Sequence, residues 1–309
     1  MIRLVGLALM CSASAAVAEV PRVAVDIAPV HALVAQVMEG VGTPELIVPP
    51  GASPHSYALR PAQERSLSQA DAVVWVGPGL TPWLGGPLDA LAGAASQLVL
   101  MDVPQVLKLK LREGDGFSGR PQEEVGHEGA GYADHAEHFD HSLDPHAWLA
   151  PENAALWMLE ISVVLGALDP DNALTYEANA RKGAAGLAGL NGEINAVLAP
   201  VRGRPYMVYH DEYQYFERSF AMPAEGALSG EDALPVDTAR AAEMRDMVRG
   251  AGVSCVMAGP QFDAGLSEVV GPTHVGVADP LGAELKPGPA LYGDVLRGLA
   301  TSLAACLQD

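Results

Sequence analysis

Imidazoles are the groups in this chain best able to do chemistry, and they are unevenly spread. Five of the nine histidines fall in HEGAGYADHAEHFDHSLDPHAW, residues 127–148. Residues 127–141 mix His with Glu, Asp, Gly and Ala and show no apolar period, which is the pattern of a loop. DPHAW then sets His146 between Pro145 and Trp148, just ahead of a helix that Pro151 can start. Two settings are joined here: a His-rich acidic loop, about residues 113–142, and an ordered turn. Glu123, Glu124, Glu128, Asp134, Glu137 and Asp140 surround His127, His135, His138 and His141, and their charge attracts cations. Weak metal capture by the loop is therefore expected. The plainer alternative is a solvated insertion whose histidines are incidental.

Three more candidates border ordered segments. His55 lies in PPGASPHSY after the apolar run ELIV, His210 directly follows YMVY, and Asp279 follows HVGVA. In open α/β sheets ligands bind outside the carboxyl ends of strands, where these three fall. Three neutral imidazoles with one carboxylate suit a tetrahedral zinc site with bonds of ~2.0–2.2 Å. Singly, each histidine also reads as a hydrogen-bonded structural group, and Asp279 before Pro280 as a turn former. His31 and His274 have no such setting and read as structural.

The elements that must position these groups are short. RVAVDI (22–27), ELIV (45–48), AVVWV (72–76) and QLVLM (97–101) are apolar, β-branched runs, each followed by turn residues or a helical pattern. YMVY (206–209), VSCVM (253–257) and HVGVA (274–278) repeat the scheme. Continuous apolar strands alternating with helices predict parallel sheets flanked by helices, and hence an α/β fold of two lobes. Between them, residues 169–200 predict one long helix: Asp169 can cap it, Pro170 suits its first turn and Pro200 ends it. Leu174, Ala178, Leu187, Leu190, Ile194 and Leu198 are spaced for its buried face, with Gly183 and Gly186 weakening it locally. A helix of that length is a stiff connector. The expected division is residues 1–18, 19–168, 169–200 and 201–309.

The opening segment, MIRLVGLALMCSASAAVAEV, carries Arg3, an apolar stretch from Leu4 to Met10 and the small-residue site Ala16-Val17-Ala18. It reads as a secretory signal peptide, residues 1–18, cleaved before Glu19, with an apolar part too short to span a bilayer; a lipoprotein signal through Cys11 is the alternative, but Met10 is bulky where such a signal wants a small residue. Export places Cys255 and Cys306 in an oxidising compartment, where two thiols read as a disulfide. Two buried free thiols are the alternative. The chain has 18 Lys and Arg against 38 Asp and Glu, a net charge of −20. A surface that acidic repels nucleic acid and anionic lipid and favours cations.

GASPHSYALRP (51–61), ADAVVWVGPGL (70–80), DPHAWLAPENA (144–154), YHDEYQYFERSF (209–220), GPQF (259–262) and DPLG (279–282) together are more specific than any one of them. In this order, over nearly all of the chain after the signal, they resemble the zinc-binding subunits of bacterial ABC importers, the ZnuA-type solute-binding proteins. The resemblance implies two pseudosymmetric lobes joined by a rigid helix with the metal in the cleft between them. His55 and His146 would come from the first lobe, His210 and Asp279 from the second. Manganese-selective relatives have a carboxylate where this chain has His210, and a third imidazole favours zinc. The resemblance further implies a periplasmic receptor, monomeric and without a membrane anchor, delivering Zn²⁺ to a membrane permease.

Two departures stand out. Pro54 replaces a Glu that some zinc-branch members place before the first histidine, so Asp279 or a water completes the shell. Gly259 stands where relatives often carry Glu, which removes a carboxylate from behind the ligands. Other readings are a periplasmic zinc buffer or chaperone, a manganese receptor, or a zinc hydrolase with Asp211 or Glu212 as base. No HExxH motif occurs to support the last, and a fourth protein ligand would close the position a catalytic water needs. The chain is thus expected not to be an enzyme.

Overall fold

The computed structural model describes residues 19–112, 142–229, 238–260, 270 and 273–308. The signal segment and the loop histidines His127, His135, His138 and His141 lie outside the described residues.

Two four-stranded parallel sheets form the frame. The first contains β1 (Val23–Val25), β2 (Glu45–Leu46), β3 (Ala72–Trp75) and β4 (Ser96–Val99) in the order β2-β1-β3-β4. The second contains β5 (Tyr206–His210), β6 (Ala227–Ser229), β7 (Cys255–Ala258) and β8 (His274–Val277) in the order β6-β5-β7-β8. Counted from its own first strand, each sheet runs 2-1-3-4, the pseudosymmetry expected of a duplicated α/β lobe. Except for β5, which runs one residue past YMVY to His210, the strands are shorter than the apolar runs that announce them. The ALS of β6 is a strand that its short length and turn-rich surroundings conceal in the sequence.

Both faces of each sheet are covered, which is why β1, β3, β5 and β7 are buried throughout rather than alternately. One cluster (Ile47, Leu67, Val73, Leu84, Leu88) packs outside the first sheet, and another (Met207, Leu228, Met244, Val256) outside the second. The largest core lies between the sheets and is common to both lobes. It joins Val25 and Leu33 to Trp148, Trp157, Tyr176, Tyr206, Tyr215 and Tyr292. Helices α1 (Ala28–Val37), α4 (Pro151–Leu168), α5 (Ala173–Leu198) and α8 (Leu291–Gln308) contribute to it, while α2 (Pro61–Gln69) and α3 (Gly85–Leu91) flank the first sheet. Helices α6 (Gln214–Phe220) and α7 (Thr238–Ala251) complete the second lobe.

The connector is a single helix between two 3-10 turns, Pro170–Asn172 and Ala199–Val201. At ~1.5 Å per residue α5 is about 39 Å long. Its C-terminal half buries Leu187, Leu190, Ile194 and Leu198 as the spacing predicts, but its N-terminal half corrects the expectation. Leu174 is 82% exposed and Ala178 is exposed, while Tyr176 and Ala180 are buried. The buried path is Tyr176, Ala180, Leu187, Leu190, Ile194 and Leu198, steps of three, four and seven residues that stay on one face. Gly183 lies on that path: a Cβ there would lie 2.0 Å from Met158 Cε, so glycine lets α4 and α5 approach. Asp169 does not cap through its side chain. Its Oδ2 instead accepts hydrogen bonds from Asn172 Nδ2 and Tyr176 Oη, each at 2.8 Å.

Cys255 and Cys306 form a disulfide that ties β7 to the C-terminal helix α8. His31 is buried in α1 with Nε2 3.1 Å from the Pro44 carbonyl, and His274 is exposed on edge strand β8. No described helix is long and apolar enough to cross a membrane.

Candidate metal centre between the lobes

His55, His146 and His210 converge at the carboxyl ends of the strands. Each offers a ring nitrogen, and the three nitrogens lie within 4.8 Å of one another. Ring centroids are 5.5 Å apart for His55–His146, 6.3 Å for His55–His210 and 5.5 Å for His146–His210. In a tetrahedral shell with Zn–N of about 2.0–2.1 Å the donor nitrogens sit roughly 3.3 Å apart, so modest inward movement of the rings closes this group on an ion. His146 and His210 are 3% and 6% exposed, and His55 is half-buried at the mouth.

Local sequence explains each placement. Ser53 caps the 3-10 turn Pro54–Ser56, its Oγ accepting from the His55 N–H at 3.3 Å. The Trp83 indole donates to the Pro54 carbonyl at 2.6 Å, and the Tyr57 ring packs edge-on against Trp83. Pro54 therefore anchors the turn. His210 is the last residue of β5, so the strand itself aims it out of the sheet.

His146 is held most tightly. Asp144, two residues earlier, folds back so that Oδ1 accepts from the His146 N–H at 2.9 Å and lies 2.7 Å from its Nδ1. Nδ1 is thereby committed, while Nε2 is buried without a hydrogen-bond partner. A carboxylate behind the imidazole fixes ring orientation and raises its basicity as a ligand. Burial works against a charged His146. The Asp144 carboxylate, with Glu212 and Asp211 nearby, outweighs burial and raises the imidazole pKa above its usual value. Asp144 is likewise buried, yet His146 holds its carboxyl below the usual range.

Asp279 does not join the three-histidine group. Its Oδ1 accepts the N–H groups of Leu281 at 3.0 Å and Gly282 at 2.8 Å, and Oδ2 accepts that of Ala283. Of the two acids considered as a base, Asp211 is gripped by the Arg112 guanidinium, which also bonds Glu217. Burial still pushes the Asp211 pKa up to about 6.

Several groups that shape the site are not evident in the sequence: Asp144, Arg112, Gln214, Tyr215 and Trp83. For Asp144 a signal exists in the D-x-H spacing, since an Asp side chain readily bonds backbone two residues on. The others act across the lobe boundary or between distant turns.

The family described as ZnuA, zinc-uptake complex component A, periplasmic, matches residues 23–306. The high-affinity zinc uptake system protein ZnuA of Brucella suis is 38% identical over 98% of this chain and 96% of its own length. Its namesake from Paracoccus denitrificans is 39% identical over 97% and 96%. A crystal structure of ZnuA superposes with a TM-score of 0.74 at 23% identity, covering 94% of this chain and all of that one, which supports the fold. The names are those of uptake components, not of catalysts. With the match running from β1 into α8, the chain belongs to the ZnuA family of periplasmic metal-binding receptors.

Proposed function

We propose that this protein is a periplasmic zinc receptor that binds Zn²⁺ through His55, His146 and His210 and delivers it to the membrane permease of an ABC importer. The observation that carries the reading is the convergence of three imidazoles from two lobes, one of them with a buried, uncommitted Nε2. Asp279 or a water completes the shell. Each carboxylate oxygen has two lone pairs, so Asp279 can keep its turn hydrogen bonds while donating to a metal. The names of the Brucella and Paracoccus relatives support zinc as cargo. So does the donor set, because imidazole suits zinc whereas carboxylate-rich sites suit manganese. The loop histidines would add weaker equivalents.

A competition titration of metal-free protein with Zn²⁺ against excess Mn²⁺ tests the reading. One tight zinc equivalent that manganese does not displace is expected, followed by weaker zinc equivalents. Equal competition by manganese would show that His210 is not a ligand.

The metal-binding form of His146 is neutral, so protons and zinc compete. Zinc affinity should fall as pH drops from 8 to 6, and the raised pKa makes the loss begin above pH 6.5. In the metal-free protein the sign is opposite: the His146–Asp144 attraction is fully present below pH 6.5 and fades as pH rises through the raised value. Calorimetry at pH 6.5 in buffers of different ionisation enthalpy should reveal proton release on zinc binding. A binding enthalpy independent of buffer would contradict it.

A further inference from the structure

Asp144 fixes the His146 ring, but its own second oxygen is held from the opposite lobe. Gln214, 1% exposed at the start of α6, donates Nε2 to Asp144 Oδ2 at 3.0 Å and to the Lys110 carbonyl at 3.0 Å. The next residue, Tyr215, donates its hydroxyl to the Asp144 carbonyl at 2.9 Å and accepts the Leu109 N–H at 3.0 Å. The segment that brings His146 to the site is thus clasped by the helix that follows His210, four residues after that histidine.

We propose that Gln214 is a positioning residue for the metal centre: acting through Asp144, it sets the His146 imidazole in register with His210. This rests on the reading of the three histidines as the ligand set. The physical argument is one of degrees of freedom. Asp144 Oδ1 is fixed by its own chain, through the His146 N–H, and this leaves the carboxylate free to turn about that contact. Pinning Oδ2 from α6 removes the turn, so Oδ1 stays against Nδ1 and Nε2 stays aimed at the cleft. Because the pin comes from the lobe that carries His210, the spacing between two ligands on different lobes is set by side-chain hydrogen bonds rather than by the connector alone. Without the amide, Asp144 Oδ2 would lose this bond while buried, and the carboxylate would reorient to find another donor.

The test compares Gln214→Met, which keeps length and apolar volume but has no donor, with wild type and with His146→Ala. Groups behind a metal ligand typically tune affinity 10–100-fold, and a zinc affinity lower by roughly that factor is expected for Gln214→Met. Co²⁺ substituted for zinc reports ligand geometry directly. Its visible d–d bands should shift and weaken in Gln214→Met, a change that lost helix packing alone would not produce. Wild-type affinity with an unchanged Co²⁺ spectrum would overturn the proposal. Should the variant not fold, the wild-type protein decides: the Gln214 side-chain amide protons should exchange slowly with solvent by NMR, and fast exchange would overturn it. If His146→Ala binds zinc as tightly as wild type, the ligand set itself is wrong. If His146→Ala loses zinc while Gln214→Met does not, only the positioning role falls.

Discussion

His210→Ala is expected to weaken zinc binding by more than about 100-fold, since a ligand is worth more than the groups behind it, which themselves count for 10–100-fold. His210 is the only donor of the three contributed by the second lobe. Its loss leaves His55 and His146 on one side of the cleft, and the ion loses the contact that bridges the lobes. His274→Ala, on the exposed edge strand, should leave affinity where it was, and His135→Ala in the acidic loop should matter far less than His210→Ala. Equal affinities for the His210 and His135 variants would refute the separation of a tight centre from a loop. Asp211 also deserves its own control, because its bond to Arg112 steadies the segment beside His210.

The three clustered histidines are legible because each follows a pattern with a local cause: a Pro-rich turn for His55, a D-P-H turn for His146 and a strand end for His210. The alternation of apolar runs and helices likewise made the two parallel sheets visible. What stayed hidden depends on partners far apart in the chain. No local pattern states that Gln214 reaches Asp144 or that Trp83 reaches Pro54. The buried face of α5 departs from the expected spacing at its start for a similar reason. Leu174 has the right chemistry, but the neighbours available there are those of α4 and α1, and they select Tyr176 and Ala180. Asp279 shows a different limit: its D-P-L-G setting announces the turn its carboxylate closes, and carries no local mark of how far that carboxylate stands from the histidines.

Removing the disulfide should cost about 4 kcal/mol of stability in the chain-entropy model, given the sequence separation of 51 between Cys255 and Cys306. Both cysteines are buried, and Gly276 on the adjacent strand makes room for them. A Cβ at Gly276 would sit 2.9 Å from Cys306 Cβ and 3.0 Å from its Sγ. Cys255 opens β7 and pairs with Tyr206, the first residue of β5, whereas His210 is the last. The cross-link is therefore at the end of the sheet away from the metal centre. Cys255→Ser with Cys306→Ser should lower the urea midpoint strongly while leaving zinc affinity of the folded protein intact. A loss of zinc affinity matching the loss of stability would mean that the disulfide acts on the site and not on the unfolded chain.

The core that runs between the sheets joins the two lobes, with Trp148 donating to the Pro280 carbonyl and Tyr292 to that of Trp148. Because His55, His146 and His210 stand on segments that share this core, the free energy of a bound ion is felt by the entire fold. Free zinc at a hundred times its dissociation constant adds about 2.7 kcal/mol to the global balance between folded and unfolded chain. Melting temperature then becomes a gauge of loading, and the empty receptor is the form more exposed to proteolysis.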